Sequence, residues 1–254
     1  MNTLLPIGAG LLIGFLIGLT GMGGGALMTP FLLLVMKLNP VTAIGTDLAF
    51  AAITKVVGSA QHYRHGHISP KQVAWMALGS LPSSFASAQL VLRLPPHIIQ
   101  TTLPIMLGSV LILIGGIIMA QALELIHPRT SAELVWPRPL AMVSIGVVGG
   151  FLVGMTSIGG GTVIMALLMI FFTIPIQYLV GLDVLHGALL ATVAALTYAM
   201  SGQTDWSLVS RLLIGSLPGA WLGAHAINRL DRRVVRTVLA LLIIGAGVNL
   251  LIGH

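Results

Sequence analysis

The chain has 254 residues, of which 56% are hydrophobic and only 7% are charged, and its formal net charge is +6. Soluble domains carry roughly 25% charged residues, so this composition argues against a soluble core and predicts a polytopic membrane protein. The basic residues lie between apolar runs and serve as topology signals, not as a nucleic-acid surface, and the absence of cysteine excludes disulfides and thiolate metal sites.

Ten apolar segments follow one another along the chain, five in each half. They lie at about 4–20, 24–36, 42–61, 73–92, 98–121, 139–156, 160–173, 176–200, 207–227 and 233–252. Many approach the roughly 20 residues that a spanning helix needs, but the second segment of each half is shorter. Each short segment follows its predecessor after a glycine-rich turn, which predicts a glycine-broken helical hairpin. The sequence leaves open whether these hairpins cross the bilayer or re-enter it.

The two halves of the chain are copies of each other. Residues 10–94 recur at 146–230 with a constant offset of 136 residues, and the matches fall mainly on glycine, proline and aspartate. The predicted division is therefore a first transmembrane repeat at 1–121, a cytoplasmic linker at 122–138 and a second repeat at 139–254. Glycine-interrupted segments at matching positions of two halves are typical of secondary transporters, whose substrate site lies where the repeats meet.

The number of crossings predicts that the two repeats are inverted. A hairpin returns to its starting side, so each repeat adds three further crossings, and an odd number requires opposite orientations. If the linker 122–138 and the segment 229–236 are cytoplasmic, most Lys and Arg residues lie on that side, as the positive-inside rule requires. We therefore expect an all-α protein of two inverted repeats in a bacterial inner membrane, with both termini outside.

The glycine-rich turns are the first candidates for a substrate site. Consecutive glycines leave the first N–H groups of the next helix unpaired, and the helix dipole adds partial positive charge, so such turns attract anions. Threonine hydroxyls beside both turns offer further donors. The predicted substrate-binding residues of the turns are Thr20, Gly23, Gly24, Gly25, Thr156, Gly159, Gly160 and Gly161. The alternative is that the glycines only permit close helix packing.

Two acids occupy equivalent positions in the third apolar segment of each half. Asp47 and Asp183 each follow a glycine by two residues. An ionisable group at membrane depth is a functional candidate, and a carboxylate there can carry a proton whose movement is coupled to that of an anion. The alternative is that each acid caps a helix start or accepts hydrogen bonds from the glycine turn.

Lys55 breaks the symmetry between the halves, because its repeat counterpart is Ala191. It lies eight residues after Asp47, about two helical turns along the same face. A buried lysine suits two roles, contact with an anionic substrate or neutralisation of Asp47 in the empty state. The sequence leaves both open.

The histidines are interpreted as structural. His62, His65 and His67 resemble a metal-binding run, but no cysteine or carboxylate accompanies them, which favours an interfacial loop over a metal site. His186 and His225 lie within apolar segments, and we expect each to form a hydrogen bond across helices.

Two prolines lie inside apolar segments at equivalent positions. Pro82 and Pro218 each follow a Gly-Ser-Leu sequence. A proline removes one backbone hydrogen bond from a helix and kinks it, and small residues follow at four-residue spacing, so we predict a hinge or a close helix contact there.

The glycine-rich stretch Gly18-Leu19-Thr20-Gly21-Met22-Gly23-Gly24-Gly25, its echo at 154–161, the segment Gly45-Thr46-Asp47 and the segment Pro218-Gly219-Ala220 with Gly223 resemble the TauE/SafE family. The resemblance covers nearly the whole chain. It implies a membrane transporter for sulfite, sulfonates or related sulfur anions. The repeats differ at Ser157 for Gly21, at Leu182 for Thr46 and at Gly219 for Ser83, which argues against exact twofold symmetry of the site.

The sequence therefore predicts a secondary transporter that moves a small sulfur-containing anion by alternating access. The expected partners are this anion and the lipid bilayer, with no nucleic acid, no cofactor and no enzymatic activity; a homo-oligomer is left open. A passive anion channel is the main alternative. An intramembrane enzyme using Ser59 with His62, or Asp47 with Lys55, is disfavoured because no such pair occurs in both repeats.

Overall fold

The computed structural model describes residues 4–20, 25–64, 69–125, 138–158, 163–171, 176–226 and 232–253. Within these ranges the chain forms helices and no strand. The helices are α1 (Leu4–Thr20), α2 (Gly25–Pro30), α3 (Pro40–Arg64), α4 (Pro70–Arg93), α5 (Pro96–Ala122), α6 (Pro139–Thr156), α7 (Val163–Phe171), α8 (Ile176–Met200), α9 (Trp206–Ala226) and α10 (Arg232–Ile252). Helix α2 continues into a wider π-helical turn at Phe31–Val35. Each predicted apolar segment corresponds to one of these helices, which confirms the all-α prediction.

Helix starts follow local sequence signals. Pro70, Pro96 and Pro139 occupy the first turns of α4, α5 and α6, where a missing backbone N–H costs nothing. The Asp205 carboxylate accepts a hydrogen bond from the Leu208 backbone N–H at 2.9 Å and so caps α9. The polar and proline-containing connections therefore set where the apolar helices begin.

The helices pack in a pattern that follows the sequence repeat. Under the repeat, α1 to α5 correspond to α6 to α10 in order. The most extensive packing joins α1 to α9, α4 to α6, α5 to α10 and α3 to α8. When each helix is replaced by its counterpart in the other repeat, the α1–α9 pair becomes the α6–α4 pair. The α5–α10 and α3–α8 pairs each remain the same pair. The two halves are thus intertwined, since the first helix of each lies on the fourth helix of the other.

Glycines permit these close contacts. A Cβ added at Gly14 of α1 would collide with the backbone carbonyl of Ser216 in α9, and one added at Gly150 of α6 would collide with that of Ser80 in α4. These contacts are equivalent under the repeat. Glycine at such positions lets helix backbones approach closely, as is common between helices in membranes.

The outer surface of the bundle is apolar. Four helical stretches are long and apolar enough to cross a membrane, namely Pro96–Ala122, Pro139–Thr156, Gly181–Met200 and Arg233–Ile252. Large apolar side chains such as Leu113, Leu140 and Leu241 are exposed on these helices. A soluble monomer rarely exposes so much apolar surface, whereas a lipid-facing helix must. The chain is a multi-pass membrane protein.

The predicted hinge prolines lie inside helices that continue on both sides. Pro82 is within α4 and Pro218 is within α9. Both helices pack against the first helix of the opposite repeat. Their role as hinges stays a prediction.

Candidate functional site

Asp47 is buried in α3 and is held by two hydroxyl groups. Its Oδ2 accepts hydrogen bonds from the Thr29 hydroxyl of α2 and from the Ser157 hydroxyl, the latter at 2.9 Å. Thr29 belongs to the first repeat, whereas Ser157 begins the turn after α6 in the second. The acid of one repeat is therefore bound by the hairpin of the other.

The backbone at Ser157 aims its hydroxyl at Asp47. Ser157 ends α6 in the left-handed region, at φ 60° and ψ −10°, and its N–H donates to the Val153 carbonyl at 2.8 Å. A non-glycine residue pays a steric cost in this conformation. The hydrogen bond to Asp47 is the interaction that a glycine here could not supply.

Asp183 is buried in α8 and is paired with a cation. Its Oδ2 lies 3.5 Å from Nζ of Lys55 in α3. The Asp183 side chain is 2% exposed and the Lys55 side chain is 12% exposed. This ion pair also joins the two repeats. The prediction that Lys55 could neutralise Asp47 is wrong. The two residues are eight positions apart on one helix, a rise of about 12 Å, which is too far for an ion pair. Lys55 pairs instead across the α3–α8 contact.

Gly187, one turn after Asp183, makes room for the lysine. A Cβ added there would collide with Nζ of Lys55. The equivalent residues of the other half are Ala51 for Gly187 and Ala191 for Lys55. The larger side chain on one helix is therefore matched by a smaller one on its neighbour.

His186 lies in the same part of α8. Its Nε2 and the Ser80 hydroxyl of α4 are 2.7 Å apart and share a hydrogen bond, which confirms the predicted contact across helices. The same prediction for His225 is wrong. Its Nδ1 lies 2.8 Å from the Trp221 carbonyl of its own helix, because an exposed side chain on α9 finds its nearest acceptor one turn back.

Several buried polar atoms near these residues have no hydrogen-bond partner within the described part of the chain. They are Oδ1 of Asp47, Oδ1 of Asp183, Nδ1 of His186 and the hydroxyl of Ser84. Such atoms are uncommon in folded proteins because leaving them unpaired costs about 1–3 kcal/mol each. Three of the four belong to α4 or to α8 around His186, so several hydrogen-bonding groups in this region are left unpaired.

The predicted glycine-turn site lies mostly outside the described residues. This holds for Gly23, Gly24, Gly159, Gly160 and Gly161, while Thr20 ends α1 and Gly25 begins α2. The Thr156 hydroxyl donates to the Leu152 carbonyl at 2.6 Å and accepts from the Ile158 N–H at 3.1 Å. Anion binding by these turns therefore stays a prediction.

Metal binding finds no support in the described residues, where no group of three or more His, Asp or Glu side chains is placed to hold an ion. The interpretation of the histidine run as an interfacial loop is wrong for His62, which lies within α3, because this helix continues to Arg64. His65 and His67 lie outside the described residues, so for them it stays a prediction.

Sequence reasoning missed the hydroxyls of Thr29, Ser157 and Ser80. Ser157 carried a usable signal, since it replaces a glycine of the other repeat. The loop before α9 was missed as well. The N–H of Asp205 donates to the Thr46 hydroxyl at 3.1 Å, and the Thr42 hydroxyl donates to the Gln203 side chain at 3.0 Å. This loop therefore covers the start of α3, within about one and a half helical turns of Asp47.

The charged residues thus sit where the repeats meet. Asp47, Lys55 and Asp183 each contact a residue of the opposite repeat. An ammonium group is chemically suited to an anion and a carboxylate to a proton, and both kinds of group lie at this contact.

Similar proteins agree with a transport function. The model of the family described as sulfite exporter TauE/SafE matches residues 6–250. A probable membrane transporter protein of Bacillus subtilis, YjnA, is 38% identical over 248 residues, covering 95% of this chain and 97% of the relative. A second one from that organism, YdhB, is 29% identical over 242 residues, covering 94% and 96%.

A probable membrane transporter protein of Xylella fastidiosa is 25% identical over 257 residues, covering 97% of this chain and 94% of the relative. No solved structure matches the chain. The match to the family model spans nearly the whole sequence, and the bundle built by that sequence is apolar outside and charged at the repeat contact. The chain is a member of the sulfite exporter TauE/SafE family of membrane transporters.

Proposed function

We propose that this protein is a secondary transporter that moves a small sulfur-containing anion, such as sulfite or an organosulfonate, across the bacterial inner membrane by alternating access. The observation that carries the proposal is that its buried charges bridge the two repeats: Lys55 to Asp183, and Asp47 to Ser157. A rocking motion of one repeat against the other would change the surroundings of all three charges together.

The alternating-access part of the proposal assumes that the repeats are inverted. The intertwined packing of α1 on α9 and of α6 on α4 is what a twofold relation between the repeats would produce. Single cysteines can test the orientation, because the chain contains none of its own. Arg64→Cys and Asp205→Cys are expected to react with an impermeant thiol reagent from opposite sides of the membrane. Labelling of both from one side would contradict the inverted arrangement.

The substrate class is proposed from the family and from the charge at the site. The family is described as sulfite exporters. Lys55 supplies the only cation among the buried side chains described around Asp47 and Asp183. The glycine turns, with Thr20 and Thr156 beside them, are proposed to add helix N-termini to the binding of the anion.

The membrane potential sets what coupling each direction requires. With a negative interior, outward movement of a monovalent anion gains about 2.3 kcal/mol per 100 mV, so export needs no coupled cation. Uptake needs one, and we propose Asp47 and Asp183 as the proton-binding residues. The double replacement Asp47→Asn with Asp183→Asn is expected to abolish flux driven by a pH gradient. Unchanged proton-driven flux would exclude both residues from that role.

The decisive experiment is sulfite flux into proteoliposomes containing the purified protein, under imposed electrical and pH gradients. Taurine-like sulfonates serve as competitors, and chloride as a control anion. The expected result is saturable sulfite or sulfonate flux that one of the gradients drives uphill. Saturable flux that no gradient drives uphill would favour a passive anion channel. Absence of flux for every sulfur anion would refute the substrate class.

A further inference from the structure

We propose that Asp183 is a tethered counter-ion which a substrate oxyanion displaces from Lys55, so that the protein has one charged anion site and not two equivalent ones. This site is formed by Lys55 and by Nδ1–H of His186, in the tautomer in which Nε2 accepts a hydrogen bond from the Ser80 hydroxyl. This inference rests on the proposed transport function and assigns its binding chemistry. It places the anion at the α3–α4–α8 contact, in addition to any contribution from the glycine turns.

This cluster joins the two halves of the chain, and it is not repeated at the place that the repeat relates to it. Three of its residues have apolar counterparts in the repeat: Ala191 for Lys55, Phe50 for His186 and Ala220 for Ser84. Only Ser80 has a polar counterpart, Ser216. Phe50 is fully buried against apolar side chains of the second hydrophobic cluster, which includes Met28 and Leu212. Of the two places related by the repeat, one is therefore polar and the other is packed with apolar side chains.

The contact between Lys55 and Asp183 is long for a charge-assisted hydrogen bond. Nζ and Oδ2 are 3.5 Å apart, whereas such bonds are commonly about 2.7–2.9 Å. No other partner of the carboxylate exists in the described part of the chain, and its Oδ1 is buried and unpaired. Asp47 differs, since two hydroxyls bind one of its oxygens. Of the two acids, Asp183 therefore has the weaker contacts, and an incoming anion can replace it at the Lys55 ammonium more easily.

Two unused hydrogen-bonding groups lie on α8 and α4, which pack against each other beside Asp183. Nδ1 of His186 and the Ser84 hydroxyl are fully buried with no partner in the described residues, and Ser84 lies one turn after Ser80 on the same face of α4. An ammonium group adds three donors. An oxyanion has several acceptor oxygens that can satisfy separated donors at once, whereas a halide is a single acceptor centre. The donor set therefore selects an oxyanion over chloride.

Gly187 provides space at the lysine. Because a Cβ at this residue would collide with Nζ of Lys55, the ammonium lies directly against the α8 backbone. The repeat counterparts of Gly187 and Lys55 are Ala51 and Ala191, so both positions differ between the two related places. A joint difference of this kind is expected if the position of the ammonium is functional.

Asp183 neutralises Lys55 when no anion is bound. A buried lysine without a partner is costly in a membrane, and Asp183 neutralises it until an anion arrives. Once displaced, Asp183 is itself unpaired, which makes it the place for a co-transported proton. The internal pair also lowers the apparent affinity, because only the fraction of protein with a free lysine is competent to bind.

The test is equilibrium binding of sulfite to purified protein, with Asp183→Asn as the main variant. This variant removes the competing charge and keeps the shape, so its dissociation constant is expected to fall by about tenfold. Asp47→Asn is the comparison variant and is expected to give a clearly smaller gain, because the Asp47 carboxylate does not contact the lysine. Asp205→Asn, at the partly buried start of α9, keeps a side chain that can cap the helix and is the control expected to leave sulfite affinity unchanged. Chloride is expected not to compete at equal concentration.

Removal of the lysine completes the test. Lys55→Met alone would leave Asp183 unpaired and disturb folding, so the lysine is removed together with the acid, as Lys55→Met with Asp183→Asn. This pair is expected to lose saturable sulfite binding, and Lys55→Arg with Asp183→Asn is expected to retain it. An equal or smaller gain for Asp183→Asn than for Asp47→Asn would overturn the inference, as would sulfite binding that survives loss of the lysine.

The outcomes separate this inference from the proposed function. Sulfite flux by the unmodified protein, combined with affinities that do not respond to Asp183 or Lys55, would keep the transport function and refute this site. Tightened binding of sulfite in Asp183→Asn without flux of any sulfur anion would support the site and refute the transport substrate. Failure of every variant to bind sulfite would overturn both.

Discussion

The two buried acids occupy equivalent positions in the repeats, yet they are held in different ways. Asp47 is bound by the neutral hydroxyls of Thr29 and Ser157, whereas Asp183 is paired with the Lys55 ammonium. The counterparts of the two hydroxyl residues are Met165 and Gly21, and the counterpart of the lysine is Ala191. Duplication has thus kept the carboxylates and changed everything that binds them. One acid is fixed by hydrogen bonds, and the other is positioned to exchange partners.

The helix scaffold, by contrast, has stayed nearly symmetric. Gly14 faces the Ser216 carbonyl, as Gly150 faces that of Ser80. Substitution at a backbone contact displaces two helices at once, so such positions change rarely without loss of packing. A polar side chain inside the bundle can change if its neighbour changes too. The following predictions set the conserved scaffold against the diverged site.

The largest expected effect is that of Lys55→Met. It leaves the Asp183 carboxylate buried without its cation, which typically destabilises a protein by about 3–5 kcal/mol. The free energy of unfolding in detergent micelles measures the loss. The matched control adds Asp183→Asn, which is expected to restore much of the stability because no unpaired charge remains. Equal stability of the single and double variants would contradict a buried ion pair.

Gly187→Ala is expected to have the next largest effect. The added Cβ would displace the flexible Lys55 ammonium, so the expected cost of about 1–2 kcal/mol comes mainly from weaker pairing with Asp183 and not from overlap itself. The control is the reverse change at the equivalent position, Ala51→Gly, which creates no overlap and costs about 0.5–1 kcal/mol through backbone entropy. In a Lys55→Ala background the cost of Gly187→Ala should largely disappear. Its persistence there would show that some contact other than the lysine causes the loss.

Ser157 allows the hydrogen bond to Asp47 to be separated from backbone strain. Ser157→Ala removes the hydroxyl and keeps the left-handed backbone at φ 60°, so it is expected to cost about 1–2 kcal/mol. Ser157→Gly removes the same hydroxyl but relieves a strain of about 1 kcal/mol, and it restores the residue of the other repeat. Glycine is therefore expected to be better tolerated than alanine in thermal unfolding. The opposite order would mean that the turn is not strained at this residue.

The helices and the duplication could be predicted from sequence because both depend on local pattern. Apolar runs of spanning length fix where helices lie, and the constant offset fixes which of them correspond. The partner of Lys55 could not be predicted, since it depends on which helices of different repeats pack together. Asp47 and Asp183 were identified by type and depth alone, whereas Thr29 and Ser80 look like ordinary helix residues until the opposite helix is placed beside them.

The smallest expected effect comes from a position where scaffold and divergence meet. Gly219 of α9 lies against the Leu11 carbonyl, whereas its counterpart Ser83 in α4 donates its hydroxyl to the Val147 carbonyl at 2.6 Å. Ser83→Ala is expected to cost only about 0.6 kcal/mol, a typical value for a hydrogen bond between membrane helices. Gly219→Ala, measured in the same unfolding assay, is expected to cost more, because its Cβ meets backbone and not a movable side chain. Equal costs would mean that the α4–α6 and α1–α9 contacts are equally close. In that case Ser83 would not be filling a wider gap between α4 and α6 than the one beside Gly219 between α1 and α9.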